Sequence, residues 1–140
     1  MNHNKQHWPK ELECIRRGVN GQSGFSTTIS SHYLNDRLHH PDYPDRVFDE
    51  LDIFWAITHG QIVEGYDRYE NGRDGSTLGA NPEAERIIVG PAISGAYCVV
   101  VVVIKAGPRF VVKTVFPTDR PRYQQYIPHG NSHPGGDRIS

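Results

Sequence analysis

Cysteine is almost missing from this sequence. The two present, Cys14 and Cys98, in a chain of 140 residues do not make a disulfide framework. The chain must therefore fold on buried apolar surface, and a domain of this length can do so. An excess of one charge sign is missing too. Fifteen Lys and Arg stand against 16 Asp and Glu, a formal net charge of −1. No overall field draws the chain to nucleic acid or to an anionic membrane, which leaves local basic patches as the only electrostatic route. Long apolar runs are absent. The longest, Tyr97–Ile104, is far too short to span a bilayer. Met1–Pro9 lacks the apolar core of a signal peptide. These absences together lead us to expect a cytoplasmic protein without membrane contact.

Several chemistries lack their motifs. There is no Gly-rich phosphate loop, no Gly-x-Ser-x-Gly elbow, no Cys-x-x-Cys and no His-Glu-x-x-His. No cofactor and no bound metal is expected. What is present is an ordinary globular balance, 36% hydrophobic and 22% charged, in keeping with one domain.

The order of local patterns predicts the fold. Residues 1–28 read as an N-terminal extension, partly loose, with a short helix over Lys10–Arg17 that stops at Gly18. A firmer helix begins at Ser30, a good N-cap because its hydroxyl accepts from a free amide of the first turn. Ile29 and Leu34 have the spacing of a hydrophobic staple. Leu34 and Leu38 form a narrow apolar stripe, and Pro41 and Pro44 end the helix. Asp45 caps the next helix, which runs to about Thr58. Val47, Phe48, Leu51, Phe54 and Trp55 carry its period, and Gly60 sits where a left-handed cap belongs. Strands follow over Gln61–Tyr69, Arg86–Val89, Tyr97–Ile104 and Phe110–Phe116. Asn71-Gly72 marks a hairpin turn. The β-branched run Tyr97–Ile104 reads as a central strand buried on both faces. Residues 128–140 are polar, Gly/Pro-rich and expected to be disordered. The expected fold is α+β. Two N-terminal helices pack on one face of a mainly antiparallel sheet of about four strands, in a single domain over 29–127.

Candidate functional residues cluster on the Ser30 helix and the last strand. His32, Asp36 and His39 share one helical face, which could hold zinc but is more simply a solvated polar face. Tyr33, Arg37 and His40 share the next stripe. The bidentate fork of Arg37 suits phosphate. Alternation on the last strand sends Phe110, Val112, Thr114 and Phe116 one way and Arg109, Val111, Lys113 and Val115 the other. If the Phe face meets the helices, Arg109 and Lys113 lie on the open face. Glu64 is a possible general base, although a solvent-facing glutamate is the simpler reading. Arg120, Arg122, Tyr123 and Tyr126 combine cations with aromatic faces, a weak signature of single-stranded RNA binding.

Three stretches carry a resemblance. They are Ser30-Ser31-His32-Tyr33-Leu34-Asn35-Asp36-Arg37-Leu38, Ile57-Thr58-His59-Gly60-Gln61-Ile62-Val63-Glu64-Gly65-Tyr66 and Phe110-Val111-Val112-Lys113-Thr114-Val115-Phe116-Pro117. Over about Ser30–Tyr126 the chain resembles a small bacterial toxin-like family of the barnase–EndoU–colicin–RelE ribonuclease superfamily. The resemblance implies metal-independent RNA cleavage by 2′-hydroxyl attack on the phosphodiester. It also implies a cognate antitoxin or immunity partner. On that reading Arg37 and Lys113 hold the phosphate, His32 or His40 moves protons and Thr114 orients the substrate. Tyr33, His40, Arg109 and Tyr126 would line the RNA path. His32 lies five residues before Arg37, off its stripe. The alternative is therefore a catalytically inactive module of the same fold that binds a protein or RNA partner.

Overall fold

The computed structural model of the chain describes residues 5–31, 33, 48–66, 83–105, 109–118 and 121–127. A 3-10 turn, Lys5–His7, leads into helix α1, Trp8–Val19, and strand β1, Ser26–Ile29. Helix α2 spans Glu50–His59. Strands β2 (Gln61–Tyr66), β3 (Glu85–Pro91), β4 (Tyr97–Lys105) and β5 (Arg109–Pro117) follow, and a short helix α3, Pro121–Gln124, ends the described chain. The strands form a five-stranded sheet in the order β1-β5-β4-β3-β2. The run Tyr97–Ile104 is indeed its central strand.

This architecture corrects the expected one, which had two N-terminal helices on a mainly antiparallel sheet of about four strands. The sheet has five strands and is mixed, because β1 pairs parallel with β5. One helix, α1, precedes the sheet, and α2 enters only after β1. The extra strand is Ser26–Ile29, whose partner Arg109–Val112 lies at the other end of the chain. No local hairpin signal can announce such a pairing.

Each helix forms for legible reasons. Trp8, Leu12 and Ile15 are buried at i, i+4 and i+7 of α1, the spacing of one helical face. Pro9 occupies the first turn, where a missing N–H costs nothing. The α2 N-cap is Asp49, whose side chain accepts from the Asp52 amide at 2.9 Å. Asp52 returns the contact to the Asp49 amide at 3.2 Å, a reciprocal capping box. Asp45, the expected cap, lies outside the described residues. Ser30 does act as a cap, with its hydroxyl accepting from the Tyr33 amide at 3.1 Å.

Gly60 differs from expectation. Its φ of −97° and ψ of −164° are extended, not left-handed. Space, rather than handedness, explains the glycine. A Cβ there would lie 2.5 Å from the carbonyl oxygens of Ala56 and Val89. Gly90 on β3 faces the same contact, with a Cβ position 2.2 Å from the Ala56 oxygen. The end of α2 thus rests backbone against backbone on β3. Arg16 of α1 reaches this corner, donating to the carbonyls of Ile57 at 2.9 Å and Gly60 at 2.8 Å. It satisfies carbonyls that the helix end leaves free.

The sheet is buried on both faces at its centre. On one face α1 and α2 cover Ile88, Val100, Val102, Val112 and Val115. Each such side chain contributes on the order of 2 kcal/mol. Arg86, only 4% exposed, ties α1 to this face through a two-pronged contact with Glu11 at 2.7 and 3.0 Å. On the opposite face Ile87, Val89, Val99 and Val101 pack with Tyr123 of α3, which is fully buried. Helix α3 covers only part of that face, and what it leaves open combines valines with charged residues. Among the described residues no helix is long and apolar enough to cross a membrane.

Candidate active site

The open part of the sheet is built by cross-strand register. Glu85 of β3 pairs with Val103 of β4 and with Tyr66 of β2, and Val103 pairs with Val111 of β5. Lys105 pairs with Arg109. Directly opposed residues point to one face, so these side chains share the face away from α1 and α2.

Lys113 joins them through an irregularity. Val101 pairs with Thr114 while the next residue, Val102, pairs with Val112. Lys113 is therefore one residue too many, a β-bulge, and bulges re-aim side chains. The simple alternation expected for this strand holds up to the bulge and fails after it. Val115 packs in the helix-side core, and Phe116 packs with the opposite cluster. Thr114 pairs with Val101 of that same opposite cluster. Lys113 and Thr114 both reach the open face as a result.

A cleft of about 350 Å³ opens there. Val103 and Val111 line it with Ser30, and the charged groups Glu83, Glu85, Lys105 and Lys113 surround them. Lys113 Nζ donates to Glu85 at 2.9 Å, and Lys105 Nζ donates to Glu83 at 2.5 Å. Glu85 is 1% exposed, whereas the Lys113 side chain is 48% exposed. Taking a carboxylate out of water costs several kcal/mol before its partners are counted, so a glutamate at the wall of an open cleft is a costly placement. Ser30 is fixed to the bulge, donating from its hydroxyl to the Lys113 carbonyl at 3.3 Å, while its amide donates to the Val112 carbonyl at 2.9 Å.

Beside the cleft lies a second polar group. Arg122 of α3 donates to both carboxylate oxygens of Glu64 at 2.8 Å and to the Tyr66 hydroxyl at 3.0 Å. The Tyr66 hydroxyl donates to Glu64 at 2.9 Å. Burial first, and the neighbouring Glu64 next, push the Tyr66 phenol up to about 12, with Arg122 opposing. It stays neutral throughout the physiological range. Glu64 is thus committed to an ion pair and is not a free base.

Of the residues predicted from sequence, Arg109, Lys113 and Thr114 share one face of the sheet, and of these three Lys113 alone lines the cleft. Tyr33 does not. It is 1% exposed in the helix-side core, its hydroxyl donating to the Phe48 carbonyl at 2.8 Å, so it holds the core rather than a ligand. Tyr126 is half-buried against the Tyr123 cluster, its amide donating to the Tyr123 carbonyl at 3.1 Å. His32, Arg37 and His40 lie outside the described residues, as do Asp36, His39 and Arg120. Glu83, Glu85 and Lys105 are additions. The signal for Glu85 is the period-two pattern Glu85, Ile87, Val89, which extends β3 one residue before the expected start at Arg86.

No family model, no curated protein and no solved structure matches this chain.

Proposed function

We propose that this chain is a metal-independent endoribonuclease of the bacterial toxin type, acting in the cleft on the open sheet face. The observation that carries the reading is Glu85, a carboxylate almost wholly withdrawn from water at the cleft wall, with the half-exposed cation Lys113 at 2.9 Å. In-line RNA cleavage needs a base, a cation and an acid. Lys113 exchanges Glu85 for the incoming phosphate, and the carboxylate so released takes the 2′-hydroxyl proton as that oxygen attacks phosphorus. Lys113 and Arg109, with Arg37, hold the phosphate as its charge builds. The bond to the 5′-oxygen breaks, a histidine (His32 or His40) supplies the proton to that oxygen, and a 2′,3′-cyclic phosphate remains. Thr114, on the same face, orients the substrate. The sequence resemblance supports the same reading and brings with it a neutralising antitoxin or immunity partner.

The test is incubation of the protein with total cellular RNA in EDTA, read on a denaturing gel. Wild type is expected to cut. Lys113→Ala, Glu85→Gln and Arg37→Ala should each slow cutting about 100-fold or more, with circular dichroism unchanged. RNA left intact by wild type would remove the reading.

One observation favours a second reading, a non-catalytic binding module. Both lysines of the cleft already pair with glutamates, at 2.5 and 2.9 Å, so the cleft is self-neutralised. Such a surface suits a polar partner that exchanges ion pairs without turnover. Intact RNA together with a stoichiometric partner, lost in Lys113→Ala, is its expected outcome.

A further inference from the structure

The large apolar side chains left exposed among the described residues are Leu51, Trp55 and Ile93, at 66%, 47% and 55%. They are not scattered. Leu51 and Trp55 lie one turn apart on α2, on the side away from the buried Ile53, Ala56 and Ile57. Trp55 stacks on His59 a further turn along, with ring centroids 4.4 Å apart. Ile93 sits in the β3–β4 turn, and its amide donates to the Asp52 side chain at 3.2 Å. That bond holds the turn beside the stripe. Single exposed apolar residues need no explanation, but a helical stripe that includes a tryptophan, with a third exposed apolar residue tied to the same helix, marks an interaction surface.

Charge gives the surface a polarity. Asp49, Glu50 and Asp52 stand at its N-terminal end, and neither α2 nor the turn Ala92–Ala96 contains a Lys or Arg. Asp49 and Asp52 are held in place by the capping box, so this charge is fixed rather than incidental. The surface belongs to the helix layer, on the other side of the sheet from the cleft.

We propose that the Leu51–Trp55–Ile93 surface docks an amphipathic, lysine- or arginine-bearing helix of a partner protein. Its apolar ridge would cover Trp55, and its basic residues would meet Asp49, Glu50 and Asp52. This mode is helix recognition through apolar anchors with a charged rim that sets orientation. It stands whether or not the cleft cleaves RNA.

The test uses the full chain labelled with fluorotryptophan and observed by fluorine NMR, the two signals being assigned with Trp55→Phe. The probe is a short amphipathic helix of leucine and lysine. Its control carries glutamate in place of every lysine. The lysine peptide should shift the Trp55 signal and leave that of Trp8, which is 5% exposed, in place. Leu51→Ala should weaken binding about tenfold, the effect of losing one anchor, although it changes no charge. Glu50→Lys should weaken it as well, more so at low salt. Equal binding of the glutamate peptide, or full binding by Leu51→Ala, would overturn the proposal. So would sedimentation showing a dimer that Leu51→Ala dissolves, since the occupant would then be a second copy.

Discussion

Lys113 meets Glu85, Nζ to carboxylate at 2.9 Å, from the one surplus residue of β5. Without that residue Val112 and Thr114 would be neighbours in a regular ladder, and each already has the facing it would then need. The β4–β5 ladder therefore has no use for Lys113, whose carbonyl receives Ser30 and whose side chain serves the cleft.

Deleting Lys113 in a Glu85→Gln background tests this directly. The Glu85→Gln change prevents an unpaired carboxylate from confusing the outcome. The double variant should keep its circular dichroism and cooperative unfolding, because the ladder closes in register. The fold is the readout here, since Glu85→Gln by itself already slows cutting. Collapse of the fold would show that the bulge is needed by the sheet itself.

The thiols should separate in reactivity. Cys98 is fully buried on β4, and its thiol is pushed up to about 12 by burial and then by Asp52. Cys14 is partly exposed. A thiolate is the reacting species, so a disulfide reagent at pH 8 should label Cys14 in the native protein and Cys98 only on unfolding. Rapid labelling of both without denaturant would contradict the burial of β4.

Stability should fall at alkaline pH through Tyr66. Its phenol titrates at about 12 in the fold against an ordinary 10. The folded state thus holds the proton more tightly. This contribution is complete below pH 10 and is lost as pH rises through 12, roughly 2 kcal/mol in all. Tyr66→Phe should be less stable at neutral pH, for want of the Glu64 and Arg122 contacts, yet decline less steeply over that window. Urea titrations at several pH values measure both effects.

Gly90→Ala should cost about 3 kcal/mol, the upper range for overpacking. Its Cβ would meet the Ala56 oxygen at 2.2 Å, a backbone atom that cannot rotate away. Gly21→Ala is the contrast. No atom lies within 4 Å of its Cβ position, and only its φ of +72° resists, at about 1 kcal/mol. Thermal unfolding of the pair separates crowding from backbone strain.

Local chemistry was legible in this sequence and distant pairing was not. Ser30 as a cap, the short helix over Lys10–Arg17 and the central strand Tyr97–Ile104 all follow from residues within a turn or a strand of one another. The parallel edge strand Ser26–Ile29 depends on residues near position 110. The bulge at Lys113 has no mark in Val-Val-Lys-Thr-Val, since alternation reads on smoothly until a neighbouring strand fixes the register. Lys113 and Thr114 are legible as neighbours on the last strand, Arg109–Pro117. Glu85 is not legible as a strand residue because the apolar run begins only after Arg86. Tyr33 was assigned to a ligand because its polar stripe cannot reveal that its hydroxyl is already bonded to Phe48.

The pairing of β1 with β5 also sets an order of events. Strands β3, β4 and β5 are joined in sequence by short links and can zip together locally, as fast-forming contacts do. Strand β1 has no such neighbour. Ser30 finds Lys113 across 83 residues, so the N-terminal strand waits for the last strand to be made. The pairing of β1 therefore cannot precede β5, however early β1 is synthesised. The cleft, whose wall includes Ser30, is consequently complete only once the two strands have met.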